Sequence, residues 1–215
     1  MKLIDLHSHT FWSDGIATPV ELLRYAQKNN YYAFGITDHV DMTNYKEVID
    51  ALIQLKEDAY DLIFIPGIEI THVHPLKIEK IVQYARDKKI KWIGVHGETI
   101  VEPVIKGTNS AAIDCCVDFL AHPGFISEED SLKAEKNKVF LELTMRCGHS
   151  LTNAFVFNTG KKYNCNFIIS SDAHKPSELF NNELYKGVAL GCGMSLSEFE
   201  NYNNIYYNFV EKIRN

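Results

Sequence analysis

Short apolar runs alternate along this chain with longer segments whose apolar positions recur every three or four residues. The runs predict strands at Leu3–Leu6, Ala33–Thr37, Leu62–Ile65, Trp92–Val95, Val117–Leu120, Val139–Leu143, Phe167–Ser170 and, as an eighth, Gly187–Leu190. The amphipathic segments predict helices over Pro19–Lys28, Tyr45–Glu57, Leu76–Lys88, Ser110–Cys116, Glu128–Asn137, Asn153–Tyr163 and Ser197–Ile213. These are the two periods that separate buried strands from half-buried helices. The first helix has a full start signal: Thr18 as cap, Pro19 in the first helical position and Glu21 three residues after the cap. Ser197 and Glu200 offer a second match to the capping-box pattern. Strands separated by helices read as βα units around a parallel sheet. Seven or so such units in 215 residues favour an α/β fold of barrel type over an open doubly wound sheet. No Gly-x-Gly-x-x-Gly and no phosphate-loop motif supports the open sheet. No linker, repeat or low-complexity stretch interrupts the pattern, so one domain is expected over residues 1–215.

Composition narrows the partners. Hydrophobic residues make up 46%, enough for a sizeable core, and the net charge is −6 with histidine neutral. That balance gives no basic footprint for duplex nucleic acid. The cysteines, Cys115, Cys116, Cys147, Cys165 and Cys192, are odd in number and form no Cys-x-x-Cys pair, so a reduced, cytoplasmic protein is expected. No signal peptide or membrane-spanning run is visible.

Candidate chemistry lies where the predicted strands end. His7-Ser8-His9 follows the first strand, His39 follows Ile36-Thr37-Asp38, and Glu69 follows Pro66-Gly67-Ile68. His96 follows Ile93-Gly94-Val95, His122 follows Phe119-Leu120-Ala121, and Asp172-Ala173-His174 follows Ile168-Ile169-Ser170-Ser171. Six of the nine histidines thus fall at the C-terminal ends of predicted strands, where βα barrels build their active sites. In extended backbone, residues i and i+2 share a face, so each His-x-His or Asp-x-His pair projects two ligand groups together. Imidazole and carboxylate suit zinc, manganese and iron. With Asp14 added, the set is too large for one tetrahedral ion and suits two or three divalent ions sharing carboxylates.

Each residue taken singly has a plainer reading. Asp14 precedes Gly15 and fits a turn. Asp38 could orient His39 or cap the helix that follows, Glu69 could cap a helix, and His96 and His122 could be core histidines. His72 and His74 could support the site or simply start the next helix before Pro75. One shared centre accounts for the main set together, which the separate readings do not.

The motifs His7-Ser8-His9-Thr10, Ser13-Asp14-Gly15, Thr37-Asp38-His39, Pro66-Gly67-Ile68-Glu69, Val95-His96, Ala121-His122-Pro123 and Ser171-Asp172-Ala173-His174, in this order, resemble the PHP family of polymerase and histidinol phosphatase domains. The resemblance runs from Leu3 to about Leu190. Within the family the chain is similar to histidinol-phosphatase-like metal-dependent phosphoesterases, through His96-Gly97-Glu98-Thr99, Glu102-Pro103, Gly107-Thr108-Asn109 and Gly148-His149-Ser150-Leu151-Thr152-Asn153. It implies a distorted (βα)7 barrel and up to three metal ions. By position it implies His7, His9, Glu69 and Asp172 on one ion, and Glu69, His96 and His122 on a second, with Glu69 bridging. Asp14, His39 and His174 then serve a third. Position 14 departs from several family members that carry His there, and a shorter, harder ligand puts the third ion's identity or occupancy in question.

The expected activity is metal-dependent hydrolysis of a phosphate ester by a metal-bridging hydroxide, on a small phosphorylated substrate. Phosphate capture needs cationic forks. Arg146 follows Val139–Leu143 on the catalytic side, while Arg24, Arg86 and Arg214 fall on helices. His149 and Lys175 are further candidates for the phosphate, and Asn109 a weaker one; no catalytic side chain is assigned beyond the metal-bound hydroxide. The runners-up are a phosphodiesterase or nuclease acting on nucleotides or oligonucleotides, and a metal-binding module without catalysis. A metal-dependent amidohydrolase also begins with His-x-His, but Lys91 and Lys106 do not sit at strand ends where a bridging lysine would be needed.

Overall fold

The computed structural model describes residues 2–55, 59 and 61–214. Its strands are β1 (Ile4–Asp5), β2 (Ala33–Ile36), β3 (His39–Val40), β4 (Ile63–Ile70), β5 (Trp92–His96), β6 (Phe119–Ala121), β7 (Phe140–Thr144) and β8 (Phe167–Ser170). The helices are α1 (Pro19–Lys28), α2 (Tyr45–Gln54), α3 (Ile78–Asp87), α4 (Thr108–Asp114), α5 (Glu128–Asn137), α6 (Asn153–Lys162), α7 (Asn182–Gly191) and α8 (Leu196–Ile213). Seven parallel strands run in the order β1-β2-β4-β5-β6-β7-β8, with β3 paired to the upper part of β4. Past the last strand, Ser8 and Ala173 form a parallel bridge, His9 N–H donates to the Ala173 carbonyl and Asp172 N–H to the His7 carbonyl. These bonds nearly close the sheet into the expected (βα)7-like barrel.

The inward rows explain how one structure carries both a core and a site. Alternate residues of a strand face alternate sides of the sheet. On β5 the inward row climbs Trp92, Gly94, His96; on β7 it climbs Phe140, Glu142, Thr144; on β4 it reaches Ile65, Gly67, Glu69. Large apolar groups therefore fill the N-terminal half of the barrel, and ligand-type groups the C-terminal half. Trp92 stacks on Phe119 at 4.7 Å, and its indole N–H donates to the Leu6 carbonyl. Glycine in the layer above makes room for them: a Cβ on Gly94 would lie 2.1 Å from the Phe119 ring. The outward row, including Phe34, Ile36, Ile93, Val95, Leu141 and Phe167, packs under the helices.

Helix α8 covers the N-terminal mouth. Tyr206 and Val210 join the inner cluster, and Phe209 meets Trp92 and Phe140. The capping box of α8 is formed by Ser195 and Glu198 rather than Ser197 and Glu200. Ser195 has extended backbone and accepts from the Glu198 N–H, so the helix starts at Leu196. The expected eighth strand, Gly187–Leu190, is instead the second half of α7. Asn181 caps that helix, and its buried Tyr185 and Ala189 are one turn apart. The strand expected at Leu62–Ile65 continues through Pro66 to Ile70. Pro66 falls where the β2 ladder ends and the β5 ladder begins, so its missing N–H is tolerated. A short 3-10 turn, Pro75–Lys77, precedes α3 where a single helix from Leu76 is expected. The expected end of α2, at Glu57, lies outside the described residues.

Candidate metal centre

Nine expected ligands meet at the C-terminal mouth because the strands that carry them are neighbours in the barrel. The β1 end delivers His7 and His9, which are fully buried, as is Glu69 near the end of β4. His7 Nε2 lies 3.0 Å from His9 Nε2 and 3.2 Å from Glu69 Oε2, and His9 Nε2 lies 3.1 Å from Asp172 Oδ1. His122 Nε2 lies 3.4 Å from Glu69 Oε1 and 3.7 Å from Asp172 Oδ2. On the outer side, His174 Nε2 stands 3.0 Å and His39 Nε2 3.6 Å from the Asp14 carboxylate. His39 Nδ1 lies 2.9 Å from Glu69 Oε2, so Glu69 touches both groups.

Local structure aims each of these side chains. Asp14 sits in the turn that Gly15 suggests, yet it also faces His9, His39 and His174. The turn is clamped by Asp38, which accepts from Thr10 N–H, Thr10 hydroxyl and Ser13 hydroxyl. Asp38 therefore anchors the β1 loop, a role distinct from both expected ones. His122 and Asp172 adopt left-handed backbone, with φ of 27° and 52°, which is uncommon outside glycine and points to positions held for a reason other than local preference.

The donor set fits cations. Among the described residues, Glu69 Oε1, His9 Nδ1 and His122 Nδ1 are buried without a hydrogen-bond partner. His174 Nδ1–H donates to the Asp172 carbonyl, and its Nε2 lies 3.0 Å from an Asp14 carboxylate oxygen, so a proton or a cation must lie between them. Two acceptors face to face repel unless a positive centre lies between them. Burial and neighbouring imidazoles hold His9 and His122 well below the ordinary histidine value, the neutral form a metal needs. Burial drives the Asp172 carboxyl up to about 7 against the pull of His7, while Glu69 and Glu142 push with burial. Among the described residues four groups have ligand atoms mutually within 4.8 Å: His9, Asp14, His39 and His174; His7, His9 and Glu69; His7, His122 and Asp172; and His96, His122 and His149.

The expected phosphate residues separate. Arg146 lines the cavity at the mouth, about 360 Å³, with its Nη1 3.2 Å from Glu178 Oε2. His149 lines it too, but beside His96 and His122. Lys175 is half-exposed, 3.5 Å from Glu178, and outside that lining. Asn109 is a buried staple that accepts from the Glu98 N–H and donates to the Pro123 carbonyl. His72 lines the cavity, whereas His74 is exposed and caps the 3-10 turn. Sequence reasoning missed Glu142, which touches His7 Nδ1 and Ser170 hydroxyl and accepts from the His122 N–H at 2.8 Å. Its signal was a charge at an inward position between Leu141 and Leu143. Glu102 was also missed; it reaches His96 from an exposed loop, a contact that no local pattern announces.

Fold and site together define a βα barrel whose C-terminal mouth carries a buried imidazole–carboxylate cluster with the donor chemistry to bind divalent cations. The PHP domain model matches residues 5–96. An uncharacterised protein of Methanocaldococcus jannaschii is 42% identical over 202 residues, covering 92% of this chain and 93% of that one. This chain belongs to the PHP family. Among solved structures, histidinol phosphate phosphatase of Lactococcus lactis, complexed with zinc, L-histidinol and phosphate, aligns with a TM-score of 0.64 at 13% identity, over 90% of this chain and 95% of that one. A chain of an archaeal ribonuclease P solved with mature tRNA aligns with a TM-score of 0.68 at 16% identity, over 98% and 90%. At these identities the structures establish likeness of fold. Among the described residues no helix is long and apolar enough to cross a membrane.

Proposed function

We propose that this protein is a metal-dependent phosphoesterase acting on a small phosphomonoester. The observation that carries the reading is one cavity of about 360 Å³ lined by Asp14, His39, His96, His122, Asp172 and His174 together with Arg146. That volume sits at the small end of ligand sites. His7, His9, Glu69 and Asp172 would hold one divalent ion, Glu69 with His96 and His122 a second, and Asp14, His39 and His174 a third. Bound ions of the zinc, manganese or iron type supply Lewis acidity toward phosphoryl oxygens and lower the pKa of water. Arg146, steadied by Glu178, offers a guanidinium fork to a phosphate oxygen from the wall of the cavity. Glu142 orients His7 through Nδ1 and leaves Nε2 for the centre. The phosphate and L-histidinol bound by the Lactococcus lactis protein support a phosphomonoester as the substrate class.

A second reading, a phosphodiesterase acting on nucleotides or oligonucleotides, draws on one observation. Phe11 and Trp12 stack at 5.4 Å on the rim, are substantially exposed, and could take a base. The net charge of −6 weighs against a long nucleic-acid track.

Chelator-treated protein is expected to lose hydrolysis of an aryl phosphate and to regain it on addition of manganese or zinc. Arg146→Ala is expected to raise KM about tenfold or more, the loss of a charge-assisted hydrogen bond of about 1.5–3 kcal/mol. A metal-replete protein inert toward phosphomonoesters, phosphodiesters and oligonucleotides alike would end the hydrolase reading.

A further inference from the structure

Glu102 stands on the loop after β5, and its carboxylate spans two histidines. Oε2 lies 3.0 Å from His96 Nε2 and Oε1 lies 3.4 Å from His149 Nε2. His96 Nδ1 is 3.2 Å from the Gly97 carbonyl, which can only accept, so Nδ1 carries the proton. His96 Nε2 therefore meets the carboxylate oxygen either through a proton of its own or through a cation that takes that proton's place. His149 Nδ1 lies 2.8 Å from the Thr99 hydroxyl, which can accept its proton, and Nε2 is the nitrogen turned to Glu102. Its ring stacks on His122 at 4.1 Å, and the ligand nitrogens of His96, His122 and His149 lie within 4.8 Å of one another.

The two Glu102 separations, 3.0 and 3.4 Å, match the edges of a coordination polyhedron, and the three imidazole nitrogens stand more widely, within 4.8 Å of one another. Two ligand atoms each about 2.1 Å from one ion stand about 3.0–3.4 Å apart at angles between 90° and the tetrahedral value. We propose that His149 and Glu102 are metal ligands, which join Glu69, His96 and His122 at the second cation position and give it three imidazoles and two carboxylates. The proposal deepens the reading above and rests on the site being a metal centre. It moves His149 from phosphate capture to cation binding and leaves Arg146 as the phosphate fork. A ligand set this rich in imidazole selects borderline ions such as zinc over magnesium or calcium.

The loop is built to hold Glu102 there. Glu98 Oε1 accepts from the N–H groups of Gly107 and Asn109, Asn109 accepts from the Glu98 N–H, and Asn109 also donates to the Pro123 carbonyl. Both ends of the segment that carries Glu102 are thus tied to the barrel beside His122.

The test compares the full-length protein with His149→Ala, Glu102→Gln and, as a control for adventitious histidine binding, His74→Ala. Each is loaded with zinc, freed of excess metal and assayed for bound ions. Each is also loaded with cobalt for its visible ligand-field spectrum. His149→Ala is expected to lose one tightly bound ion and alter the cobalt spectrum. Its weakening, by chelator competition, should exceed about tenfold, the lower end of what losing a mere outer partner costs. Glu102→Gln, at a partly exposed position that tolerates substitution, should change the same spectrum and weaken the same ion, so the proposal is tested even where His149→Ala misfolds. Full metal content and an unchanged spectrum in both variants, with KM raised in His149→Ala, would return His149 to phosphate binding and overturn the proposal while leaving the phosphoesterase reading intact. A wild-type protein that retains no ion would end both.

Discussion

At Glu142 a carboxyl group lies buried inside an apolar strand, and its partners explain why it is tolerated. It touches His7 Nδ1 and the Ser170 hydroxyl, and it accepts from the His122 N–H. One side chain thus fixes the orientation of His7 and the backbone at His122, whose φ of 27° is uncommon. Outer partners of this kind set ligand basicity as well as geometry. Glu142→Gln keeps the shape and removes the charge, so the fold should survive. The expected result is a loss of about 10–100-fold in metal affinity, measured by competition with a chromophoric chelator. Affinity equal to wild type would show that Glu142 serves packing alone.

Among the elements, β5 shows how packing at one end serves candidate ligands at the other. Gly94 lies between Trp92 in the core and His96 at the mouth, and the Phe119 ring occupies the space its side chain would need. Gly94→Ala forces that ring or the strand to move, at a cost of about 1–3 kcal/mol. For a chain of this size that lowers Tm by about 2–12 °C. Phe119→Leu frees the space, so a double-mutant cycle should show the combined loss well below the sum of the single ones; strict additivity would place the clash elsewhere. The same strand shows what was legible in the sequence. Trp92–Val95 reads as a strand from its apolar run, and His96 as a site residue from its place at the end. The rest depended on contacts between distant residues. Gly187–Leu190 looked like a strand because a four-residue apolar run carries no period of its own; its helical state follows from the Asn181 cap and the Tyr185–Ala189 spacing. Glu102 and His149 are 47 positions apart and meet only because the loops after β5 and β7 converge over the mouth. By contrast, His7, His9, Glu69, His122 and Asp172 were legible because a parallel barrel sends every strand end to the same face.

The molecule as a whole carries two unlike halves, and metal should act on only one. The N-terminal half is an apolar cluster of Ile4, Leu6, Trp92, Phe119, Phe140 and Ile168 closed by Tyr206 and Val210 of α8. The C-terminal half buries the carboxyl groups of Asp5, Glu69, Glu142 and Asp172 with His7, His9 and His122. Burying carboxylates is costly unless positive charge or hydrogen bonds offset it, and among the described residues Glu69 Oε1 has no hydrogen-bond partner. A cation that binds the folded chain alone stabilises it in proportion to the logarithm of its concentration over Kd. At a thousandfold excess over Kd this amounts to about 4 kcal/mol, or about 8–16 °C in Tm for a chain of this size. Manganese is the better probe, because zinc would also bind thiolates of the five cysteines in the unfolded chain. The expected outcome is a melting curve that rises steadily with manganese and returns to its starting point on chelation. Far-ultraviolet circular dichroism at 25 °C should stay constant throughout, because the apolar half does not depend on the ion. A Tm indifferent to manganese would mean that the buried carboxylates are balanced within the protein. Loss of helical signal on chelation would mean that the two halves fold only together.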